Sequence, residues 1–513
     1  MKTFMVLGAT GSGKTTLING MINYILGVEW GDNFRYKLIA EETGKSQAES
    51  QTSSITAYQL HHQEGFNIDY SLTIIDTPGF GDTRGIIRDK QITDDIREFF
   101  TSTQGIDQVN AVCFVVQAAL ARLTHTQKYV FDSILAIFGK DIAENIRIFV
   151  TFADGERPPI LDALNVADVP CPKDESGMPM YFKFNNSAIF AQRPISENTG
   201  NLGTSGYSRR EEDDNNNFAA MNWNMGANNM KKFFTALNTM EAKSLRLTRE
   251  VLKERKQLEA IVEGLQIQVK AGLTKLDELR KTQQVLDQNQ VNLDANKDFE
   301  YEVNVVVKER KWIPYLSNNC EQCDFTCDAP CLVAVKSLGK WCTSMDSSRN
   351  CTVCPLKCGW ADHKRQFSRV VCKTKKEKKA YSELKERYEK AHGVKMTQQK
   401  VKESLEQEFD EVGGKVMELI QQLSRSRKRL NEIALRPNPL STPAYIDLMI
   451  LDEKNYANPG YMGRIEALTT VKNMAELQEK VAKNELLTEQ PKEDSIRIAA
   501  KQIFSNVLNW FTL

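Results

Sequence analysis

Two groups of residues in this chain have the types and spacing for chemistry, and they lie far apart in sequence. The first is Gly8-Ala9-Thr10-Gly11-Ser12-Gly13-Lys14-Thr15, which fits G-x-x-x-x-G-K-[ST] between an apolar run and a helix-forming stretch. Glycine at this spacing lets backbone N–H groups curl around a phosphate, and the start of a helix adds positive potential at the same spot. Lys14 is expected to reach the outer phosphates and Thr15 to hold Mg2+, with Gly8, Thr10, Gly11, Ser12, Gly13 and Thr16 completing the cradle. Asp76-Thr77-Pro78-Gly79 supplies D-x-x-G. There Asp76 would bind Mg2+ through water, and the Gly79 N–H would sense a third phosphate. Thr151-Phe152-Ala153-Asp154 stands where a base-reading [NT]-K-x-D belongs. A carboxylate at Asp154 can accept from both the N1–H and the N2 amino group of guanine, a donor pair that adenine lacks. Three motifs in this order on three strand ends point to a site for GTP or GDP with Mg2+.

The second group is a cysteine cluster. Of 11 cysteines, Cys113 and Cys171 come early and the rest fall between positions 320 and 372. The spacing is Cys320-x2-Cys323-x3-Cys327-x3-Cys331, then Cys342, then Cys351-x2-Cys354-x3-Cys358-x4-His363 and Cys372. Two C-x2-C pairs with further Cys and His suit tetrahedral Zn2+, four ligands to each ion. One grouping gives Cys320, Cys323, Cys351 and Cys354 to one ion, and Cys327, Cys331, Cys358 and His363 to a second. Disulfides and an iron–sulfur cluster are the alternatives. So short a segment has no core of its own, and the expected role of the metal is structural. Residues 308–379 hold 15 Lys or Arg against 7 acids, a surplus of 8. Seven thiolates against two divalent ions leave −3, which offsets over a third of that surplus. Nucleic acid is therefore not the expected partner; a protein or a membrane surface is.

Both groups need elements to position them. Residues 4–7, 72–75, 111–116 and 146–150 are short apolar runs ending near Gly, Asp or polar turns, as buried parallel strands do. With helical stretches between them, such as 126–138, they predict a doubly wound α/β fold of mostly parallel sheet over residues 1–235. Within it, residues 194–217 are rich in Gly, Asn, Ser and acids and read as a disordered insertion. Residues 236–297 and 376–434 are rich in Lys, Glu, Gln and Leu and predict two arms of an antiparallel coiled-coil stalk, roughly 90 Å long. Weak points are His392-Gly393-Val394 and Gly413-Gly414, and an ordinary helical bundle is the alternative. Between the arms, 298–375 combines a strand, from the alternation of Tyr301, Val303, Val305 and Val307, with the cysteine module as a zinc-bearing tip. Residues 435–513 form a helical tail with a short helix at 474–484 and an amphipathic end at 496–511, which either lies on a membrane surface or packs on the protein. Acids and bases balance at 67 each, which excludes polycation binding as a global property. No run reaches the roughly 18–20 apolar residues of a membrane span. The start, Met1-Lys2-Thr3-Phe4, is not that of a signal peptide, so a cytoplasmic protein, at most peripheral on membranes, is expected.

Residues 1 to about 240 resemble the AIG1-type GTPases, immunity-associated nucleotide-binding proteins of the septin-like branch. Beyond the motifs above, Arg122-Leu123-Thr124-His125-Thr126-Gln127 followed by Ile137-Phe138-Gly139 resembles that family's R-[FYL]-T-x-x-[EQ] box. Phe184-Asn185-Asn186 resembles its base-stacking F-N-N segment. The resemblance implies nucleotide contacts from Asn185 and Asn186, dimerisation across the nucleotide face, and Arg122 as an arginine finger. A surface salt bridge is the other reading of Arg122, and His125 reads as a polar helix-start residue. The chain departs from the pattern at Phe152, which replaces the lysine that packs on the base. Switch I is open among Thr52, Ser54 and Thr56, with Thr52 taken first as the residue that closes on Mg2+. Phe80 follows Gly79, where many switch GTPases carry a glutamine that orients water, so slow hydrolysis is expected. Two functions follow from these residues. One is a slow GTPase whose GTP-dependent assembly controls the arm and its unidentified protein partner. The other is an adaptor in which nucleotide is a fixed structural ligand. A third, an ATP-driven coiled-coil motor, needs Walker B and signature halves that are not found in the sequence.

Overall fold

A computed structural model of the chain describes residues 1–40, 54–82, 86–102, 105–190, 206–262, 300–329, 348–354, 356–393 and 397–437, with isolated residues between and after them up to 472. The chain divides into two units, residues 1–252 with 431–475, and residues 253–430 with 476–513.

The first unit runs β1 (Lys2–Gly8), α1 (Lys14–Ile25), β2 (Thr56–Leu60), β3 (Leu72–Asp76), α2 (Ile86–Thr101), β4 (Gln108–Val109), β5 (Ala111–Gln117) and α3 (His125–Leu135). It continues with β6 (Ile146–Thr151), α4 (Ile160–Val166), β7 (Tyr181–Lys183), α5 (Gly206–Thr239) and β8 (Lys243–Ser244). Six strands form one sheet in the order β2-β3-β1-β5-β6-β7. Only β2 is antiparallel to its neighbour. Side chains alternate across a strand, and here both faces are covered, so the strands read as unbroken apolar runs. Met5 and Leu7 join Val112, Phe114, Ile148 and Val150 in one core, closed by Ile92, Ile96 and Phe100 of α2. Phe4 and Val6 join Ile74, Val115 and Phe149 in the other, closed by Leu17, Ile18 and Met21 of α1 and by Phe233 of α5. The chain leaves β1 along one face and crosses from β3 to β5 along the other. The crevice beyond β1 is therefore a topological switch point, where ligands bind in such sheets.

The helix α5 corrects the expected insertion. Residues 206–217 are helical, and 194–205 lie outside the described residues. Met230, Phe233, Phe234 and Leu237 recur at helical spacing and bury against the sheet, and this anchors a helix whose polar start gives no apolar signal of its own. The first arm does not begin at 236 either. Asn110 Nδ2 donates to the Met240 carbonyl at 3.0 Å and Asn145 Nδ2 to that of Glu241 at 2.8 Å, so buried amides satisfy the carbonyls just past the helix end. The chain then pairs β8 with β4 and starts a new helix, α6 (246–262).

From residue 253 the second unit holds the rest of α6, then β9 (Glu300–Cys320), β10 (Phe325–Asp328), β11 (His363–Ala380), α7 (Tyr381–His392) and most of α8 (Gln398–Ile433). The expected strand is much longer than its alternating start. β9 and β11 pair antiparallel from Glu300–Ala380 to Cys320–His363, so residues 376–380 belong to a strand and not to the second arm. Helix α7 stops at His392, before Gly393, whereas α8 runs unbroken through Gly413-Gly414. Two contacts fix the direction of the helical pair: a Cβ at Gly264 would lie 3.8 Å from Leu419 Cδ1, and Lys275 is ion-paired with Glu408. Eleven residues forward on one segment match eleven backward on the other, which is antiparallel packing.

The cysteine module is not at a far tip. Lys256 Nζ donates to the Ala329 carbonyl at 2.7 Å, Ala260 packs on the module's core, and the Phe325 ring lies 3.3 Å from a Cβ at Gly264. The β9–β11 ladder runs for about 65 Å at the usual rise for twenty residues, and the Cys320–His363 end of it lies beside 256–264. The tail segments 474–484 and 496–511 lie outside the described residues.

Candidate nucleotide site and metal cluster

The P-loop closes because Gly13, at φ 82°, turns in the left-handed region and caps α1. Lys14, almost fully buried, folds back with Nζ donating to the Gly8 carbonyl at 3.1 Å and the Ala9 carbonyl at 2.9 Å. Burial lowers its pKa to about 8, and the Asp76 carboxylate opposes this. Asp76, at the end of β3, is 1% exposed and has its pKa raised by burial, with Lys14 acting the other way. Its Oδ2 accepts from Thr52 Oγ1 at 3.2 Å, so of the three switch I candidates Thr52 is the one brought to the site; Ser54 is exposed and Thr56 opens β2. Asp76 Oδ1, Ser12 Oγ and Thr10 Oγ1 are buried with no hydrogen-bond partner among the described residues. Thr15 and Thr16 are half-buried at the start of α1.

Gly79 has no alternative residue. A Cβ there would meet Thr10 Cα at 2.6 Å, because the D-x-x-G segment lies directly on the P-loop. Phe80 continues that contact, its N–H donating to the Gly8 carbonyl at 3.2 Å while its ring is fully buried in the core. It therefore points away from the site, and the position of a water-orienting side chain is occupied by packing.

On the base side, Thr151 Oγ1 donates to the Ser12 carbonyl at 2.7 Å and ties the end of β6 to the P-loop. Phe152 sits at φ 53°, and its ring is 59% exposed and 3.5 Å from a Cβ at Gly13. A non-glycine residue held there is a strained conformation at a binding site. Asp154 is exposed, its Oδ1 accepting from the Glu156 N–H at 2.9 Å. The F-N-N segment departs from its expected role. Phe184 is fully buried against Phe149, with ring centroids 5.3 Å apart, and no base can stack on it. Asn185 caps the next turn through Ser187, and Asn186 Oδ1 lies 3.1 Å from a Cβ at Gly20, facing α1.

The Arg122 box has a plain structural basis in its second half. Thr124 Oγ1 accepts from the Gln127 N–H at 3.2 Å, and Gln127 Oε1 accepts from the Thr124 N–H at 2.9 Å. This is a capping box that starts α3 at His125. Arg122 stands just before it, exposed and without an ion pair among the described residues.

Three supporting residues carry no motif signal. Gln117 Nε2 donates to the Gly11 carbonyl at 2.9 Å, and Thr77 Oγ1 to the Val6 carbonyl at 2.8 Å. Asp89 Oδ1 accepts from the Gly81 N–H at 2.8 Å and holds the segment that leaves Gly79. Its pKa is raised to about 7, by burial first and also by Asp82, against its hydrogen bonds from Gly81 and Tyr129 and the charge of Arg88.

In the second unit the cysteines converge, with groupings that differ from the expected ones. Cys320, Cys323, Cys354 and Cys358 form one set, Cys327, Cys351, Cys354 and His363 another, and ligand atoms within each set lie within 4.8 Å of one another. Cys331 leaves the expected His set and joins Asp328 and Cys342. Cys323 and Cys358 Sγ are 3.6 Å apart, and Cys327 Sγ lies 3.4 Å from His363 Nε2. These distances suit sulfurs about a metal and are far from the roughly 2 Å of a disulfide. Backbone N–H groups of Cys323, Cys354 and Cys358 point at the sulfurs of Cys320, Cys351 and Cys354 at 3.3–3.4 Å. Hydrogen bonds from the Cys327 side chain favour the thiolates of Cys351 and Cys354, whereas burial raises Cys320, Cys323, Cys327 and Cys358. The Cys372 side chain is outside the described residues.

Residues 2–102 match the Septin family model, and no curated protein matches the chain. Among solved structures, Toc33 from Arabidopsis thaliana in complex with Mg2+ and GMPPNP is similar at 16% identity, over 47% of this chain and 86% of that one, with a TM-score of 0.29. The same protein in complex with GDP and Mg2+ is similar at 15% identity over the same shares, also at 0.29. A structure titled for the importance of dimerisation to the GTPase activity of the chloroplast translocon components atToc33 and psToc159 is similar at 16%, over 45% and 82%, at 0.28. The sheet order and the P-loop agree: the N-terminal unit has an α/β P-loop GTPase fold with a mostly parallel sheet, of which residues 2–102 match the Septin model.

Proposed function

We propose that the first unit binds guanine nucleotide with Mg2+, hydrolyses GTP slowly, and self-associates across its nucleotide face in the GTP form, as the AIG1-type resemblance implies. The observation that carries this reading is the set of buried, unpartnered oxygens at Asp76, Ser12 and Thr10 around the folded-back Lys14. Buried polar groups without partners are costly, and a phosphate with its cation would satisfy this set. Lys14 would exchange the two P-loop carbonyls for phosphate oxygens, Thr15 and Asp76 would hold Mg2+, and Thr52 would follow Asp76 to close switch I. Mg2+ and the P-loop donors would supply charge stabilisation for attack of water on the outer phosphate. Phe80, locked in the core, supplies nothing to that water, so turnover rests on what a partner copy brings. Arg122, exposed just before α3, is the residue to bring it, as the resemblance implies. The second unit acts as the interaction arm, and zinc orders its cysteine module as a structural ion. A cytoplasmic setting and a protein partner for the module complete the proposal.

The buried Phe80 also favours a second reading, a non-switching adaptor with nucleotide as a structural ligand. Competition of GTP, GDP, ATP and ADP against a fluorescent guanine nucleotide, with Lys14→Ala as control and light scattering on the same samples, separates the two. Guanine preference with self-association only in GTP supports the switch. Nucleotide that cannot be exchanged supports the adaptor, and equal competition by adenine overturns the guanine assignment.

A further inference from the structure

The two cysteine sets share one residue. Cys354 belongs to both the Cys320–Cys323–Cys358 set and the Cys327–Cys351–His363 set, and no other residue is common to them. We propose that the module holds two zinc ions joined through the Cys354 thiolate, a single dinuclear cluster and not two separate structural sites. This inference rests on the reading that the module binds zinc, and it adds the number of ions, the ligand partition and the bridge.

Ligand arithmetic comes first. Two tetrahedral ions need eight bonds, and the two sets together offer seven residues, six cysteines and one histidine. A thiolate keeps lone pairs after binding one ion, so one bridging sulfur supplies the eighth bond. Imidazole has no second lone pair on the same nitrogen, and so the bridge must be a cysteine. Cys354 is buried, and it is the one whose sulfur lies within reach of every ligand atom of both sets.

Register gives an independent reason for the two sites to touch. Cys320 of one set and His363 of the other are direct partners in the β9–β11 ladder. Paired residues in an antiparallel ladder have Cα atoms about 4.5–5.5 Å apart, so the ladder itself places the two ions side by side. The arrangement also settles the histidine. Its Nδ1 lies 2.9 Å from the Gly359 carbonyl and donates to it, which leaves Nε2, the atom 3.4 Å from Cys327 Sγ, as the metal-binding nitrogen.

Binding two Zn2+ to six thiols and a neutral imidazole releases six protons and leaves −6 + 4 = −2 on the cluster. Backbone N–H groups on Cys320, Cys351 and Cys354 sulfurs spread this charge, as does Lys308, whose ammonium sits on the Cys323 and Asp324 carbonyls at 2.8 and 3.1 Å. The Asp328–Cys331–Cys342 group shares no ligand with the pair, so whatever it binds adds no bridge.

The test is zinc-edge X-ray absorption on the full-length protein reconstituted with zinc alone, with the metal count from native mass spectrometry. Doubly bridged geometry is not needed; one shared sulfur at the usual ~2.3 Å Zn–S distance keeps the ions within roughly 4 Å of each other. A zinc–zinc scattering path at that range, with the metal count at least two, supports the proposal. The Cys331→Ser/Cys342→Ser variant should keep that path and hold two ions, and Cys354→Ser should lose the path. Two bound ions with no zinc–zinc path in the wild-type protein overturn the bridge while leaving zinc binding in place. No bound zinc overturns the metal reading itself. Because the wild-type spectrum decides the point, a Cys354 variant that fails to fold does not rescue the idea.

Discussion

Asp89 provides a prediction with a sign and a size. Its carboxyl is buried, accepts from the Gly81 N–H just past the D-x-x-G segment, and is pushed up to about 7 from an ordinary 3.8. The folded-state pKa is raised, so the native state binds more protons than the unfolded chain between those two values, and stability falls as pH rises through that window. Above pH 7 both states are ionised and the slope vanishes. At about 1.4 kcal/mol for each pH unit, the full span of roughly three units is on the order of 4 kcal/mol, of which about 2–3 kcal/mol falls between pH 5 and 8.

Asp89→Asn removes the titration while its amide oxygen can still accept from Gly81. Its stability relative to wild type should therefore climb with pH, from a small difference near pH 4 to a gain of some kcal/mol at pH 8. The comparison is best made on urea unfolding of the first unit, followed by a probe within it, because the second unit need not unfold with it. Each pH is measured for variant and wild type together, so the titration of every other group cancels. A difference that stays flat from pH 5 to 8, or that shrinks as pH rises, would refute the reasoning.

Three other expectations follow from single residues. Phe152→Ala removes the exposed ring over Gly13 and should weaken guanine nucleotide about tenfold, on the scale of one aromatic stacking contact, in the same competition assay; unchanged affinity would mean the ring does not meet the base. Thr124→Ala removes the side-chain half of the α3 capping box, leaving the backbone N–H bond to Gln127 Oε1, and should cost about 1 kcal/mol, read as a lower midpoint in thermal unfolding, while nucleotide affinity holds. Phe80→Gln should not restore fast hydrolysis: it replaces a fully buried ring with an amide, costs roughly 3–5 kcal/mol and lowers soluble yield, and a stable variant with faster turnover would contradict the buried placement.

The nucleotide site was legible because its signals are local. Each motif sits at the end of an apolar strand, where the backbone must turn toward the ligand, and residue types at such turns are dictated by contacts a few residues away. Lys14 folding back onto the Gly8 and Ala9 carbonyls is one such contact, and Gly13 turning at φ 82° to cap α1 is another. The errors arose where tertiary packing decides. Phe184 follows the family's pattern in sequence, yet the aromatic core formed by Phe149, Phe182 and Phe233 takes its ring. Residues 206–217 look like a loop by composition, and only the buried face farther along α5 makes them helical. Gln117 supports the site through a contact 106 residues away in sequence, and Asp89 through one to Gly81 that belongs to no motif, so no spacing announces either.

The second unit shows a different limit. Alternation marks β9 only as far as Val307, after which Lys308-Glu309-Arg310-Lys311 breaks the pattern, and β11 ends in Lys-rich sequence that imitates a solvated helix. With polar and charged residues interrupting the alternation, the hydrogen-bonded register, and not hydrophobic pattern, defines this three-stranded sheet. That register in turn decides which cysteines lie together. Reading C-x2-C pairs in chain order assigns Cys323 and Cys354 to one ion with Cys320 and Cys351, as if each pair were a self-contained knuckle. The ladder instead brings His363 opposite Cys320, and the pairs split differently: Cys320 and Cys323 stay in one set, Cys351 joins Cys327 and His363 in the other, and Cys354 belongs to both. Spacing identifies which residues can bind zinc, but only the fold says which of them bind the same ion. The proposed dinuclear cluster would couple strand pairing to metal occupancy: loss of either ion would free His363 or Cys320 at the end of the ladder and loosen the place where the sheet meets helix α6.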